Sequence, residues 1–405
     1  MLNGSMMLPM RVLMVTREYP PFVVGGVAIH TYYLTKYLKK KGLKVKVVSF
    51  GDPKLSNEEV LFIEPNSSII SNKSTNIVED IKVPMDILRF INKVKAILKN
   101  EDYDLVHVQE PYVGGPIAYE HKVTTIHDTS FEEIRGRLKY LGKESLKQVA
   151  FYATIGYVME FLSIASSKVI INPSIDVAWE MLKVYRVPIE KIRVIPNGVE
   201  DPQPNEPDKH TARQIIGIPE DCFVILSIAR HIPVKRLDIL IKTAKILKEK
   251  ALENFVVIIG GKGTLTDHLK ELAKELNVND VVKFVGWLSK DRLPLYYRAA
   301  DVFVITSEYE SGPLTILEAG IRGLPLVVSD TPSGFIMLAR NEVDCIKFKP
   351  GDPEDFANKI MLLASDYSLW KELSRGAMKF ASLFRWEKIA EKTISVYKEV
   401  LTSLD

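Results

Sequence analysis

The chain has 405 residues, 46% of them hydrophobic and 26% charged, so it is too long for one ordinary core and predicts two soluble globular domains. A formal net charge of +3 argues against nucleic acid as the main partner. The two cysteines, Cys222 and Cys345, form no CxxC pair, which disfavours a disulfide framework or a cysteine zinc site and fits a reducing cytoplasm.

The first residues, MLNGSMMLPMR, contain no long apolar run, so no secretory signal is expected. RVLMVT (Arg11 to Thr16) reads as a first strand. Gly25 and Gly26 lie in the loop after it, ahead of helical spacing over 29–40, where a phosphate or sugar can approach the backbone. Plain turn geometry explains the pair equally well, and GxGxxG is absent. KVKVVSF (44–50) is a second strand, and MDILRFINKVKAILKN an amphipathic helix with Ile87, Phe90, Ile91, Val94 and Ile97 on one face.

Asp102 and Asp104 have a DxD spacing but precede the strand DLVHVQ, away from the ligand-binding end, so no metal site is expected there. His107 reads as a core residue of that strand. VTTIHD is the next strand, and His127 at its end can hydrogen-bond a sugar hydroxyl; a structural role is the plainer alternative. Residues 135–147 carry Arg135, Arg137, Lys139, Lys143 and Lys147 against Glu144, a net +4. That stretch is either a solvated helix face or a contact for anionic lipid or an acidic glycan. The most apolar long stretch, Phe151 to Ile171, reads as a buried helix and the strand after it, not a membrane span. KVIINPS and IRVIPNGVE complete a parallel sheet covered on both faces.

The polar segment near 206–210 reads as a linker, and the alternation then restarts. CFVILSIAR is a strand that ends at Arg230, and Lys235 follows as the next helix begins. Two cations at a strand's carboxyl edge can clamp a diphosphate, although such a pair alone is more often a solvated loop. NFVVIIGGKG and VVKFVGWLS are further strands; GGKGTL lacks the P-loop spacing and reads as a strand-end turn.

The strongest feature is SEYESGPLTILEAGIRGLPLVVSD, 307–330. A strand, DVFVITSE, leads to a turn at Glu310, Ser311 and Gly312. Pro313 suits a first helical position, and the helix runs to Arg322 before Gly323 and Pro325 stop it. The amides of Gly312, Leu314 and Thr315 offer a helix N-terminus to an anion. Glu310 and Glu318 can bracket a polyhydroxylated ligand. The plainer alternative pairs Glu318 with Arg322 four residues on.

Taken together these segments resemble the retaining glycosyltransferases of family 4. YESGPLTILEAGIRGLPLVVSD is similar to their E-x7-E segment, SIARHIPVKRLDILIKTAKIL to their Arg-x4-Lys segment, VIPNGVE to the interdomain boundary, and GGVAIHTYYLTKYL to the N-terminal glycine-rich loop. The resemblance covers nearly the whole chain. It implies the GT-B fold: two Rossmann-like α/β domains with doubly wound parallel sheets, facing each other across a central cleft. Residues 1–205 would bind the acceptor, 206–384 the nucleotide sugar, and the helix 385–405 would cross back onto the first domain. It further implies that Arg230 and Lys235 bind the donor diphosphate and that Glu310 contacts the transferred sugar. Glu318 would hold the ribose hydroxyls, and Gly312, Leu314 and Thr315 would offer amides. His127 would stand beside the reacting sugar, and Gly25 and Gly26 would line the donor–acceptor gap. A hexosyl unit would pass, with retention and without a metal or other cofactor, to a glycan, lipid or small-molecule acceptor in the cytoplasm. One departure stands out: Ser311 and Gly312 replace the Phe-Gly common in the family after the first glutamate.

Two other classes compete: a binding protein with a degenerate transferase site, and an oxidoreductase or epimerase on a Rossmann-like fold. The missing GxGxxG weighs against the latter.

Overall fold

The computed structural model describes residues 9–23, 25–66, 83–139, 146 and 149–402. Contacts divide the chain into two units, Met1–Gly198 with Trp386–Asp405, and Val199–Arg385.

The first unit holds strands β1 (Arg11–Val15), β2 (Lys44–Phe50), β3 (Val60–Ile63), β4 (Leu105–Val108), β5 (Lys122–Thr125), β6 (Val169–Asn172) and β7 (Ile192–Val194). They form one sheet in the order β3-β2-β1-β4-β5-β6-β7, and every pairing is parallel. Its helices are α1 (Gly26–Lys40), α2 (Val83–Asn100), α3 (Pro111–Gly114), α4 (Ser130–Lys139), a π-turn (Tyr152–Gly156) continuing into α5 (Tyr157–Ser166), and α6 (Ile175–Lys183). Covered on both faces, the central strands are buried at consecutive positions, as the apolar runs LVHV and VIIN require. Helix α2 buries Ile87, Phe90, Ile91, Val94 and Ile97, the stripe its three-four spacing draws.

The second unit holds β8 (Phe223–Ile228), β9 (Phe255–Gly260), β10 (Val282–Gly286), β11 (Val302–Ile305), β12 (Leu326–Ser329) and β13 (Ile346–Phe348), again all parallel, in the order β10-β9-β8-β11-β12-β13. Around them lie α7 (Lys209–Ile216), α8 (Leu237–Glu249), α9 (Thr266–Glu275), α10 (Leu293–Ala299), α11 (Leu314–Ile321), α12 (Gly334–Leu338), α13 (Pro353–Ser365) and α14 (Tyr367–Ser382). Strand side chains alternate between two cores. Val224, Leu226, Phe303 and Ile305 pack with α11 and α14 on one side. Ile225, Val302 and Val304 pack with α8 and α13 on the other.

The last helix, α15 (Trp386–Thr402), belongs to the first unit. Trp386 stacks on Tyr33 of α1 with centroids 5.8 Å apart, and the Tyr397 hydroxyl lies 2.6 Å from His107 Nδ1. Both exchanges between units fall elsewhere than the expected 205/206 and 384/385. Val199 N donates to Phe384 O at 2.9 Å, and Arg385 pairs with Asp201, so the outgoing and returning strands are tied just inside the second unit. The polar stretch expected to be a linker folds with that unit because Glu206 accepts from both Arg298 and Arg322.

Candidate active site

In a doubly wound sheet the strand order reverses at one point, and the two loops leaving it diverge to open a crevice. In the second unit that point lies between β8 and β11. A hollow opens there, lined by Ser227, Ile228, Ala229, Lys235, Leu237, Ile305, Thr306, Ser307, Glu310 and Thr315.

Lys235 ends a 3-10 turn, Pro233–Lys235, rather than starting the next helix as expected. The turn is pinned to the end of β11: Thr306 Oγ1 donates to Lys235 O at 2.8 Å, and Glu308 N to Val234 O at 2.9 Å. Arg236 then takes the left-handed conformation (φ 47°), which swings the chain into α8, and its guanidinium is held by Asp238 and Glu308. A non-glycine residue there costs about 1 kcal/mol, offset by those two ion pairs. Lys235 Nζ donates to Glu310 Oε2 at 2.7 Å, and Ser307 Oγ to Glu310 Oε1 at 2.5 Å. Glu310 N in turn donates to Ser333 Oγ at 3.1 Å. A cation, a carboxylate and a hydroxyl therefore share one nearly buried spot beside the start of α11.

Pro313 is the extended residue capping α11 (ψ 119°), not its first helical residue, because the chain is still leaving the Glu310 turn. The first-turn amides of α11, at Leu314 and Thr315, have no carbonyl partner within the helix and form the anion-receptive end. Glu318 sits one turn further on and is not part of the hollow's lining. Burial pushes its carboxyl above the ordinary range; the Tyr297 hydroxyl, which donates to Oε2 at 2.8 Å, and Arg322 offset part of this. The expected alternative, a Glu318–Arg322 ion pair, is not formed. Arg322 gives Glu318 only a bond to its backbone oxygen and sends its fork to Glu206 at 2.6 Å. Glu206 is held below the ordinary carboxylate range: burial pushes it up, but the Arg322 hydrogen bond and the two cations outweigh that.

Arg230 stands just beyond the hollow's edge at Ala229, exposed to solvent. The GGKGTL turn props that edge. Gly261 (φ 111°) passes so close that a Cβ would stand 2.0 Å from Ala229 O.

In the first unit the strand order reverses between β1 and β4. The loop after β1 holds Gly25, whose amide donates to Glu18 Oε2 at 2.9 Å, and Gly26 begins α1. Arg17 pairs with both Glu18 and Glu110. His127, beyond β5, donates from Nε2 to Gln109 Oε1 at 3.3 Å and meets His30 edge-on at 4.7 Å. His30 is bonded to Asn197 Oδ1 at 2.8 Å, and His107 to Tyr397 and Thr125. Burial pushes His30 down to about 4 and His107 to about 3. It carries His127 well below the usual imidazole range, with the neighbouring imidazoles adding to it. All three are neutral at pH 7.

This has a measurable consequence. Between its ordinary 6.5 and about 4, the unfolded chain takes a proton at residue 30 that the folded chain refuses. His30 therefore withdraws stability as pH falls through that window, on the order of 3 kcal/mol in all. Buried Glu160 and Glu180, raised to about 7, act in the opposite sense. The difference in unfolding free energy between wild type and His30→Gln isolates the effect. It should move against the wild type from pH 6.5 to 4; a difference independent of pH would contradict it.

Asp104 accepts Arg11 N at 2.6 Å and so caps β1, a structural use of the DxD pair. Arg135 pairs with Glu132, while the side chains of Arg137 and Lys139, with Lys143 and Lys147, lie outside the described residues. Ser307, Tyr297, Ser333 and Glu206 carry no motif signal; only the strand-end position of Ser307 marks it beforehand.

The comparisons with known proteins follow the same two-part division. Residues 24–202 match Glycosyltransferase Family 4, and residues 208–380 match Glycosyl transferases group 1. An uncharacterized glycosyltransferase of Methanocaldococcus jannaschii is 29% identical over 403 residues, 96% of this chain and 98% of that one. A D-inositol 3-phosphate glycosyltransferase of Salinispora arenicola is 34% identical over 200 residues, 47% of this chain and 44% of that protein. The alpha-monoglucosyldiacylglycerol synthase of Streptococcus pneumoniae is 28% identical over 337 residues, 80% of this chain and 72% of that one. Among solved structures, sucrose-phosphate synthase from Thermosynechococcus elongatus superimposes with a TM-score of 0.78 at 19% identity, covering 97% of this chain and all (100%) of that one. Anabaena HepE in complex with UDP and glucose gives 0.71 at 18% identity, covering 96% and 100%. With each half matched in order and a relative aligned from end to end, the chain belongs to the family-4 type of glycosyltransferases, transferase enzymes of the GT-B fold.

Proposed function

We propose that the protein moves a hexosyl unit from a nucleoside-diphosphate sugar to a glycan, lipid-linked or small-molecule acceptor, retaining the anomeric configuration and using no bound metal. The observation that carries the reading is the hollow at the β8/β11 reversal, where Lys235, Glu310 and the start of α11 meet. The UDP and glucose named for HepE support the donor class, and the D-inositol 3-phosphate and the monoglucosyldiacylglycerol in the names of relatives support the acceptor classes.

In this reading the bond between the sugar's anomeric carbon and the diphosphate oxygen breaks, and the electron pair leaves with the diphosphate. Lys235, Arg230 and the amides at 312, 314 and 315 meet that charge. The acceptor oxygen forms its bond on the same face, and its proton passes to the departing phosphate oxygen. No protein nucleophile takes part. Glu310 orients the sugar hydroxyls and Glu318 the ribose. In the first unit, neutral His127 offers a hydrogen bond to the sugar, and Gly25 and Gly26 give it backbone access. A lipid-linked acceptor places the enzyme at the cytoplasmic face of a membrane.

A panel of nucleoside diphosphates and their sugars tests this directly. One of them should raise the melting temperature and support transfer, with EDTA without effect and the product anomer matching the donor. No shift and no transfer with any donor would refute it.

Glu206 enters as a positioning residue. In Glu206→Gln, the Arg322 fork loses its anionic anchor and turns to Glu318, four residues back, in competition with the ribose. The donor KM should rise about tenfold with kcat little changed, a loss of about 1.4 kcal/mol of binding. Adding Arg322→Met should restore it. An unchanged KM, or no recovery in the double variant, would remove this role.

A further inference from the structure

Side chains two apart along a strand share a face, so His107 and Gln109 leaving β4 stand beside Thr125 and His127 leaving the neighbouring β5. Helix α15 covers that face and sets Tyr397 against His107. The five side chains are buried; only His127 keeps as much as 9% of its surface open. Buried polar groups out of reach of water must satisfy one another, which restricts where their protons can sit. The amide nitrogen of Gln109 can only donate. It stands 3.1 Å from Met14 Sδ and 3.2 Å from His107 Nε2. Turned over, the amide would set its oxygen against the Met14 sulfur, two acceptors with no proton between them. His107 Nε2, also 2.7 Å from Thr125 Oγ1, is the acceptor. The proton of His107 is then on Nδ1, which donates to the Tyr397 oxygen at 2.6 Å. At the other end, the amide oxygen of Gln109 can only accept, and it faces His127 Nε2 at 3.3 Å. His127 therefore carries its proton on Nε2. Burial keeps the ring neutral, so Nδ1 is a bare lone pair, and among the described residues it has no hydrogen-bond partner.

We propose that Gln109 is a positioning residue. Backed by His107 and Tyr397, it fixes the tautomer of His127, so that Nδ1 meets the transferred sugar as a hydrogen-bond acceptor. The relay stands on these contacts; its use in transfer rests on the transferase reading. A bare nitrogen attracts a hydroxyl hydrogen and repels fluorine or a carboxylate oxygen. The site thus selects a sugar with a neutral hydroxyl at the position His127 faces. The relay begins on the last helix, 290 residues from His107, and so ties the seating of α15 to the state of the imidazole.

Nitrogen-15 NMR of the full chain labelled at histidine reads the protons directly, with His127→Asn identifying the signals. Wild type at pH 7 should show a protonated Nε2 and a bare Nδ1. Gln109→Leu, similar in size but without an acceptor, should mix the two tautomers. Tyr397→Phe should do the same from the far end. There His107 Nδ1 loses its acceptor, its proton moves to Nε2 to meet Thr125, and the Gln109 amide turns over. Both variants should lower kcat/KM for an accepted donor about tenfold, the scale of one hydrogen bond. Gln109→Glu sets a carboxylate against Nε2 and holds the ring as an imidazolium, with His30, His107 and Tyr397 the titratable groups facing it. Its activity should be low at neutral pH and recover as pH rises and Nδ1 loses its proton, a dependence that a merely structural role does not produce. A wild-type His127 protonated on Nδ1, or a tautomer unmoved in both Gln109→Leu and Tyr397→Phe, overturns the relay. Tautomers that shift while transfer keeps its wild-type rate overturn its use. Failure of every donor would count against the transferase reading and leave the NMR result to decide the relay.

Discussion

Lys235→Ala is expected to lower turnover about 100-fold, a loss of about 3 kcal/mol of transition-state stabilisation. The ammonium lines the hollow at the strand-order reversal, next to the start of α11, and is 16% exposed. In the resting protein it is held by Glu310, at the place where the proposed reaction puts the departing diphosphate. A fall in kcat with a smaller change in KM is the expected signature, because the charge it meets develops in the transition state. Arg230→Ala should lower turnover on the same scale with no change in melting temperature, since Arg230 is exposed. Lys235→Ala should also cost some stability, because the Glu310 carboxylate keeps Ser307 but loses its cation. Unchanged turnover with an accepted donor would remove the clamp.

The second large effect comes from a residue outside the lining of the hollow. Gly334 opens α12 at φ 52°, and a Cβ there would stand 2.2 Å from Glu310 O and 3.1 Å from Ser311 C. Both are backbone atoms of the turn that aims Glu310, so no side chain can swing aside. Gly334→Ala is therefore expected to cost about 3 kcal/mol of stability, through the left-handed backbone and the clash together. It should also lower turnover more than about tenfold by displacing Glu310. Gly217→Ala is the matched control: its φ is 72°, but nothing lies within 4 Å of the added Cβ. It should lose only about 1 kcal/mol and no activity. Equal behaviour of the two variants, by thermal melting and steady-state rate, would contradict the role given to the Glu310 turn.

The parts of the site legible beforehand are those that obey local rules. Lys235, Glu310 and Thr315 stand at strand ends and a helix start, positions that apolar runs and the Pro313 and Gly323 punctuation mark out. What escaped depends on contacts distant in sequence. Glu206 holds Arg322 away from Glu318 across 116 residues, and a pattern of neighbours offers only the i, i+4 pair. Tyr297 reaches Glu318 from α10, and Ser333 holds the Glu310 turn from the segment before α12. The edge strands β3 and β13 are short and flanked by polar residues, so their apolar runs fall below notice. Hydropathy of the Val149–Ser166 helix suggested burial because an average over residues carries no direction; only the structure shows which face holds Glu160.

The donor hollow itself is tested most directly by a crystal structure of the full chain with the nucleoside diphosphate that gives the largest thermal shift. The diphosphate should lie at the β8/β11 reversal, its oxygens within hydrogen-bond distance of Lys235 Nζ and the Leu314 and Thr315 amides, with Glu318 on the ribose. A diphosphate bound elsewhere, with the Lys235–Glu310 pair untouched, would contradict it.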